Sequence, residues 1–127
     1  MRNIIFPGIL IFTLVSCSAL EPGEYIYNLW ASVNKIEVTH NRNGRLYLDV
    51  YLTIPTPCHQ YHRRDMKISG DTVYVRYYTK IKKETVCIQV LSDKKITDSI
   101  ELERRKNYLF KFWQLGGSYL DTLIYIN

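Results

Sequence analysis

The chain has 127 residues, 46% of them hydrophobic and 23% charged, with a formal net charge of +5. That is room for one domain with an ordinary core, and too apolar a composition for a disordered chain. The basic excess is too small to require a polyanionic partner, while eleven tyrosines tilt the chain toward β-structure, whose pleated surface suits aromatic and branched side chains.

Arg2 precedes an apolar run from Ile4 to Val15. A dozen residues in a helix reach about 18 Å, short of the ~30 Å hydrocarbon core, so the run reads as the apolar region of a secretory signal peptide. It ends in Leu14-Val15-Ser16-Cys17. This resembles the lipobox of bacterial lipoproteins: a branched residue, a tolerant position, a small residue that fits the peptidase, and a cysteine whose thiol takes up diacylglycerol. The resemblance implies a signal peptide over residues 1–16, cleavage before Cys17, and three acyl chains, palmitate among them, on the new N-terminus. Two chains already anchor stably where one does not. Ser18 in place of an aspartate points, in Gram-negative sorting, to the outer membrane facing the periplasm. Without Arg2 the mature part keeps sixteen basic and twelve acidic residues, a balance of +4.

Residues 17–32 read as the lipidated N-terminus and a tether, with turn residues Glu21-Pro22-Gly23 followed by Tyr25, Tyr27 and Trp30. The domain is expected over 33–127. Ile36 and Val38 alternate with Lys35, Glu37 and Thr39, and Asn41-Arg42-Asn43-Gly44 reads as a hairpin turn, since Asn and Gly tolerate positive φ. Arg45–Ile54 is the clearest strand, with Leu46, Leu48, Val50, Leu52 and Ile54 on one face. Pro55 and Pro57 end it, because proline has no amide to donate. A polar loop is expected from Cys58 to Asp65. Strands follow over Met66–Ser69 and Thr72–Ile81 across Ser69-Gly70-Asp71. Further strands are expected over Val86–Leu91, Ser99–Leu102, Asn107–Trp113 and Leu120–Ile126, with Ser92–Lys95 a polar connection. The spacing predicts an all-β fold: an antiparallel, immunoglobulin-like β-sandwich of seven or eight strands, with a small β-barrel as the alternative. The layout Pro-Thr-Pro-Cys-His, a hairpin, then Cys-Ile-Gln-Val is similar to small uncharacterised bacterial lipoproteins, a resemblance that implies no activity.

With Cys17 lipidated, Cys58 and Cys87 are left as an even pair, most simply a disulfide in an exported domain. Cys58, His59 and His62 are also zinc or copper ligand types, but no second cluster completes a set, so His59 and His62 stay weak metal candidates and no cofactor is expected. Alternation puts Val73, Val75 and Tyr77 on one side of their strand and Tyr74, Arg76, Tyr78 and Lys80 on the other. That row can stack sugar rings or hold anionic groups, and it can equally be a solvent face steadied by cross-strand pairs. Nucleic acid is not expected for an exported chain. Arg63-Arg64 and Arg104-Arg105-Lys106 read as solvated turns, the second with anionic headgroups as its other use. No catalytic motif is present, and Glu101 and Glu103 flank no evident cleft. The expectation is a membrane-anchored envelope lipoprotein acting as a non-enzymatic binding or structural module for an envelope protein or glycan. The alternatives are a metal-binding lipoprotein using the Cys58–His62 loop and an envelope enzyme with an unrecognised site.

Overall fold

The computed structural model describes residues 24–127 as seven strands without a helix. The expected leader, the Leu14-Val15-Ser16-Cys17 lipobox and the start of the tether lie outside the described residues. Among the described residues no helix is long and apolar enough to cross a membrane.

Strand β1 is Tyr25–Arg42, β2 Arg45–Ile54, β3 Gln60–Ser69, β4 Thr72–Lys82, β5 Ser92–Glu101, β6 Lys106–Trp113 and β7 Tyr119–Ile126. The long β1 serves both layers. Its C-terminal part, from Ser32, pairs with β2, and Tyr25 to Ala31 pairs with β4. The hydrogen-bonded order is therefore β5-β2-β1-β4-β6-β7, with β3 also paired to β4. One continuous curled sheet folds over itself as a β-sandwich. Register shifts at Ile26/Leu29 and Val33/Lys35 bend β1 where it changes layer, as extra residues in a ladder do. Asn28 takes a φ of 60° there, which Asn adopts more readily than most residues.

The β1–β2 connection is the expected tight hairpin: Arg42 faces Arg45, and Asn43 and Gly44 both have positive φ. Gly44 has a second reason to be glycine, because a Cβ there would stand 2.8 Å from the Leu102 carbonyl oxygen. β2 reads as its alternation predicts, with Leu46, Leu48, Val50, Leu52 and Ile54 all buried. Against them pack Val73, Val75 and Tyr77 of β4, Phe110 and Phe112 of β6, and Ile124 and Ile126 of β7. The pairs are antiparallel with one departure, since β4 runs parallel to β6 from Thr72↔Leu109 to Val75↔Phe112.

Four expectations change. The strand begins at Tyr25, so Tyr25–Ser32 belongs to the domain and not to a tether. The stretch 60–65 is strand rather than loop, because β3 pairs with β4 from Gln60 onward. The stretch 92–95 is likewise strand, since β5 pairs along the whole length of β2. Val86–Leu91, for all its apolar content, is a loop with no ladder partner among the described residues.

Candidate functional site

The outer face of the four strands β3, β4, β6 and β7 carries the strongest concentration of aromatic and basic side chains. On β4 the alternation holds: Val73, Val75 and Tyr77 are buried, and Tyr74, Arg76, Tyr78 and Lys80 face outward. The parallel register of β6 brings Trp113 to Arg76, and the β6–β7 hairpin sets Tyr119 opposite Trp113. The result is an open groove of about 450 Å³ with Tyr74, Tyr78, Trp113 and Tyr119 as its aromatic wall and Asp65, Met66 and Lys67 of β3 along one side. Lys80 stands beyond the groove, 4.7 Å over the ring of Tyr25.

Arg76 is the centre of the groove. Its guanidinium lies 4.1 Å from the Trp113 ring and 4.9 Å from that of Tyr78. Each such contact favours the cation by ~0.5–1 kcal/mol or more as water is excluded. Arg63 covers Tyr78 as well, at 4.2 Å. Asp65 sits across from Arg76 in register, yet its carboxylate is taken by Arg63, which also donates to the Asn28 side-chain oxygen at 2.9 Å. Among the described residues no carboxylate pairs with Arg76, and its Nε is buried without a hydrogen-bond partner. On β7, Asp121 is paired with Lys111 at 3.2 Å. The groove thus holds a cation oriented by aromatic faces, with its hydrogen-bonding capacity left over.

A second constellation lies where the edges of the two layers meet. Asp98 of β5 accepts from Arg64 Nη1 of β3 at 2.6 Å and from the Tyr77 hydroxyl of β4 at 2.8 Å. Arg64 also donates to the Ser99 carbonyl at 3.2 Å. Burial first, then the negative charge of Asp98, pushes the Tyr77 hydroxyl far above the usual tyrosine range, so it stays a donor at any ordinary pH. The arrangement ties the layers together. Glu101 and Glu103 are separately engaged, by Arg45 at 2.7 Å and Lys106 at 3.5 Å.

Cys58 and Cys87 stand at disulfide geometry, their Cα atoms 6.2 Å apart. The metal candidates beside them diverge. His59 is buried, its Nδ1 2.7 Å from the Thr56 hydroxyl, while His62 packs against Tyr27 with ring centroids 4.8 Å apart. Among the described residues no three His, Cys, Asp or Glu side chains are grouped to hold a metal ion. Burial lowers the His59 pKa, with an interaction with the Thr56 backbone opposing more weakly. A folded-state pKa below the unfolded value contributes stability that is present above the ordinary histidine value of about 6.5 and is lost as pH falls through the lowered one. Denaturant midpoints measured from pH 7 downward should fall less steeply in His59→Gln than in the parent, and parallel slopes would contradict this.

Nothing in the local sequence singles out Trp113, Tyr119 or the Asp98 cluster. Trp113 lies on the outward period of its strand, but only the non-sequential β4–β6 pairing brings it to Arg76. Asp98, in a polar stretch, carries no periodic signal.

A family model described as "ORF11 beta-sandwich domain" matches residues 48–111, a span that holds both cysteines and the β4 row but stops short of Trp113 and Tyr119. No curated protein and no solved structure matches the chain.

Proposed function

The chain belongs to the ORF11 beta-sandwich domain family, and from that premise we propose that it is an exported, lipid-anchored envelope protein whose sandwich is a non-enzymatic binding module. The address comes from the lipobox-like Leu14-Val15-Ser16-Cys17, which makes Cys17 the acylated N-terminus. The Cys58–Cys87 pair fits an oxidising compartment. The observation that carries the binding reading is Arg76, gripped by Trp113 and Tyr78 and left without a carboxylate partner among the described residues. An anionic group on an envelope protein or glycan would complete it, with Tyr74 and Tyr119 offering ring faces for the rest of the ligand.

Membrane-bound partners captured by in-cell cross-linking should divide the variants in two. Cys17→Ala should leave the membrane fraction. Arg76→Ala and Trp113→Ala should stay in it and lose the partner, because a charge-assisted contact of ~1.5–3 kcal/mol corresponds to roughly 10- to 100-fold in Kd. An unchanged partner set in Arg76→Ala would remove the groove from the binding reading, and a membrane-bound Cys17→Ala would remove the anchor.

A further inference from the structure

The loop between β4 and β5 exposes an apolar surface that no described residue covers: Val86, Ile88, Val90 and Leu91 are 99%, 73%, 51% and 63% exposed. Contiguous exposed apolar groups of this kind mark contact surfaces. The loop is held in place, since Cys87 sits at disulfide geometry with Cys58 and the Lys83 amide donates to the Glu24 carbonyl at 2.7 Å. A side-chain ion pair of 2.8 Å joins the same two residues. Tyr25 pairs with Lys82, and Ile26 beside it is 45% exposed. The apolar loop and the residue where the chain enters the domain therefore share one end of the sandwich.

Cys17 precedes Glu24 by seven residues. A fully extended chain covers at most ~3.6 Å per residue, so an acylated Cys17 holds this end within about 25 Å of its lipid. The opposite end, formed by Gly44, Leu102 and Arg105 with the chain's last residues, carries Arg104-Arg105-Lys106 and is the one turned away. We propose that the 86–91 loop is a membrane-contacting element: Val86, Ile88, Val90 and Leu91 enter the interfacial layer of the bilayer that anchors Cys17 and set the sandwich end-on upon it. This rests on the lipid-anchor reading of Cys17. Because the loop is already held, little ordering entropy opposes insertion. Lys82 adds a favourable charge near headgroups, but Glu84 and Asp93 flank the loop on either side, so apolar burial drives the contact and salt changes it little.

The test places a tryptophan in the loop of the full chain, Ile88→Trp, in vesicles of phosphatidylethanolamine and phosphatidylglycerol with brominated acyl chains. Glu103→Trp at the opposite end is the control, and the parent gives the background of Trp30 and Trp113. Position 88 is largely exposed, so the substitution should leave the denaturation midpoint unchanged. The expected result is quenching of the indole added in Ile88→Trp by about twofold or more, with Glu103→Trp at background. Val86→Asp added to Ile88→Trp should reverse that quenching. Intact mass of the same sample reads acylation separately. An acylated Ile88→Trp chain whose added fluorescence is unquenched overturns the loop contact and leaves the anchor standing; an unacylated chain overturns the anchor, and this inference with it. A concentration-dependent blue shift of Ile88→Trp without lipid would assign the loop to a second copy of the chain and likewise overturn the proposal.

Discussion

Asp98→Ala should destabilise the domain by about 2–4 kcal/mol, toward the lower end of the cost of removing one partner from a buried ion pair because this pair is part-buried, and lower Tm by roughly 10–20 °C. The carboxylate is 14% exposed and takes bonds from two other strands, Arg64 on β3 and the wholly buried Tyr77 on β4. Removing it leaves the half-buried Arg64 guanidinium with only the Ser99 carbonyl and the buried Tyr77 hydroxyl with no acceptor, and an unsatisfied buried donor costs ~1–3 kcal/mol, more when charged. Asp98→Asn should fall between the parent and Asp98→Ala, because the amide oxygen can still accept one bond. The double variant Arg64→Met/Asp98→Leu should recover most of the loss, since an apolar pair of similar volume is often as stable as the ion pair it replaces. Urea denaturation of the three variants reads all of this. A loss below ~1 kcal/mol in Asp98→Ala would mean that solvent already reaches the pair.

The second large effect is expected at Cys58 and Cys87. The two are 29 positions apart, and closing a loop of that length restricts the unfolded chain by about 3.5 kcal/mol in the entropic account. Cys87→Ser, or reductant added to the parent, should lower stability by about that amount, and reductant should then change Cys87→Ser no further. A smaller loss with a changed denaturant slope would place part of the effect in the unfolded chain. The same substitution should free the 85–91 segment, whose backbone bonds are few: Thr85 to the Lys82 carbonyl and Val90 to that of Ile88. Hydrogen exchange at the Thr85 and Val90 amides should report the release while the β2 amides stay protected.

The aromatic groove and the Asp98 cluster use the same strands for opposite ends. On β4, Tyr77 points inward to hold the layers together, and its neighbours Arg76 and Tyr78 point outward to form the groove. On β3, Arg64 goes to Asp98 while Arg63 goes to Tyr78 and Asp65. A lesion that slips β3 by one residue would exchange these roles, since the side-chain period is two.

Sequence by itself determined what depends on local alternation and on single residues. The β2 face, the Asn43-Gly44 hairpin and the split of β4 into a buried row and the outward row Tyr74, Arg76, Tyr78 and Lys80 follow from neighbours in the chain. The pairing of Cys58 with Cys87 is expected only once the lipobox resemblance sets Cys17 aside, and the structure places the two at disulfide geometry. Tertiary structure decided what local hydrophobicity misreports. β3 and β5 are edge strands that bury little, so their sequences are polar, as edges that must not aggregate tend to be, and their first parts, to Asp65 and Lys95, read as loops. Val86–Leu91 is apolar and reads as a strand, yet it ends up as an exposed loop because it has to carry the chain from β4 in one layer to β5 in the other. Trp113 reaches Arg76 only through a parallel pairing between strands that are not consecutive, and Asp98 reaches Arg64 and Tyr77 only because the sheet curls over. Contacts between residues distant in the chain depend on which strands become neighbours, and no window of the sequence holds both partners at once.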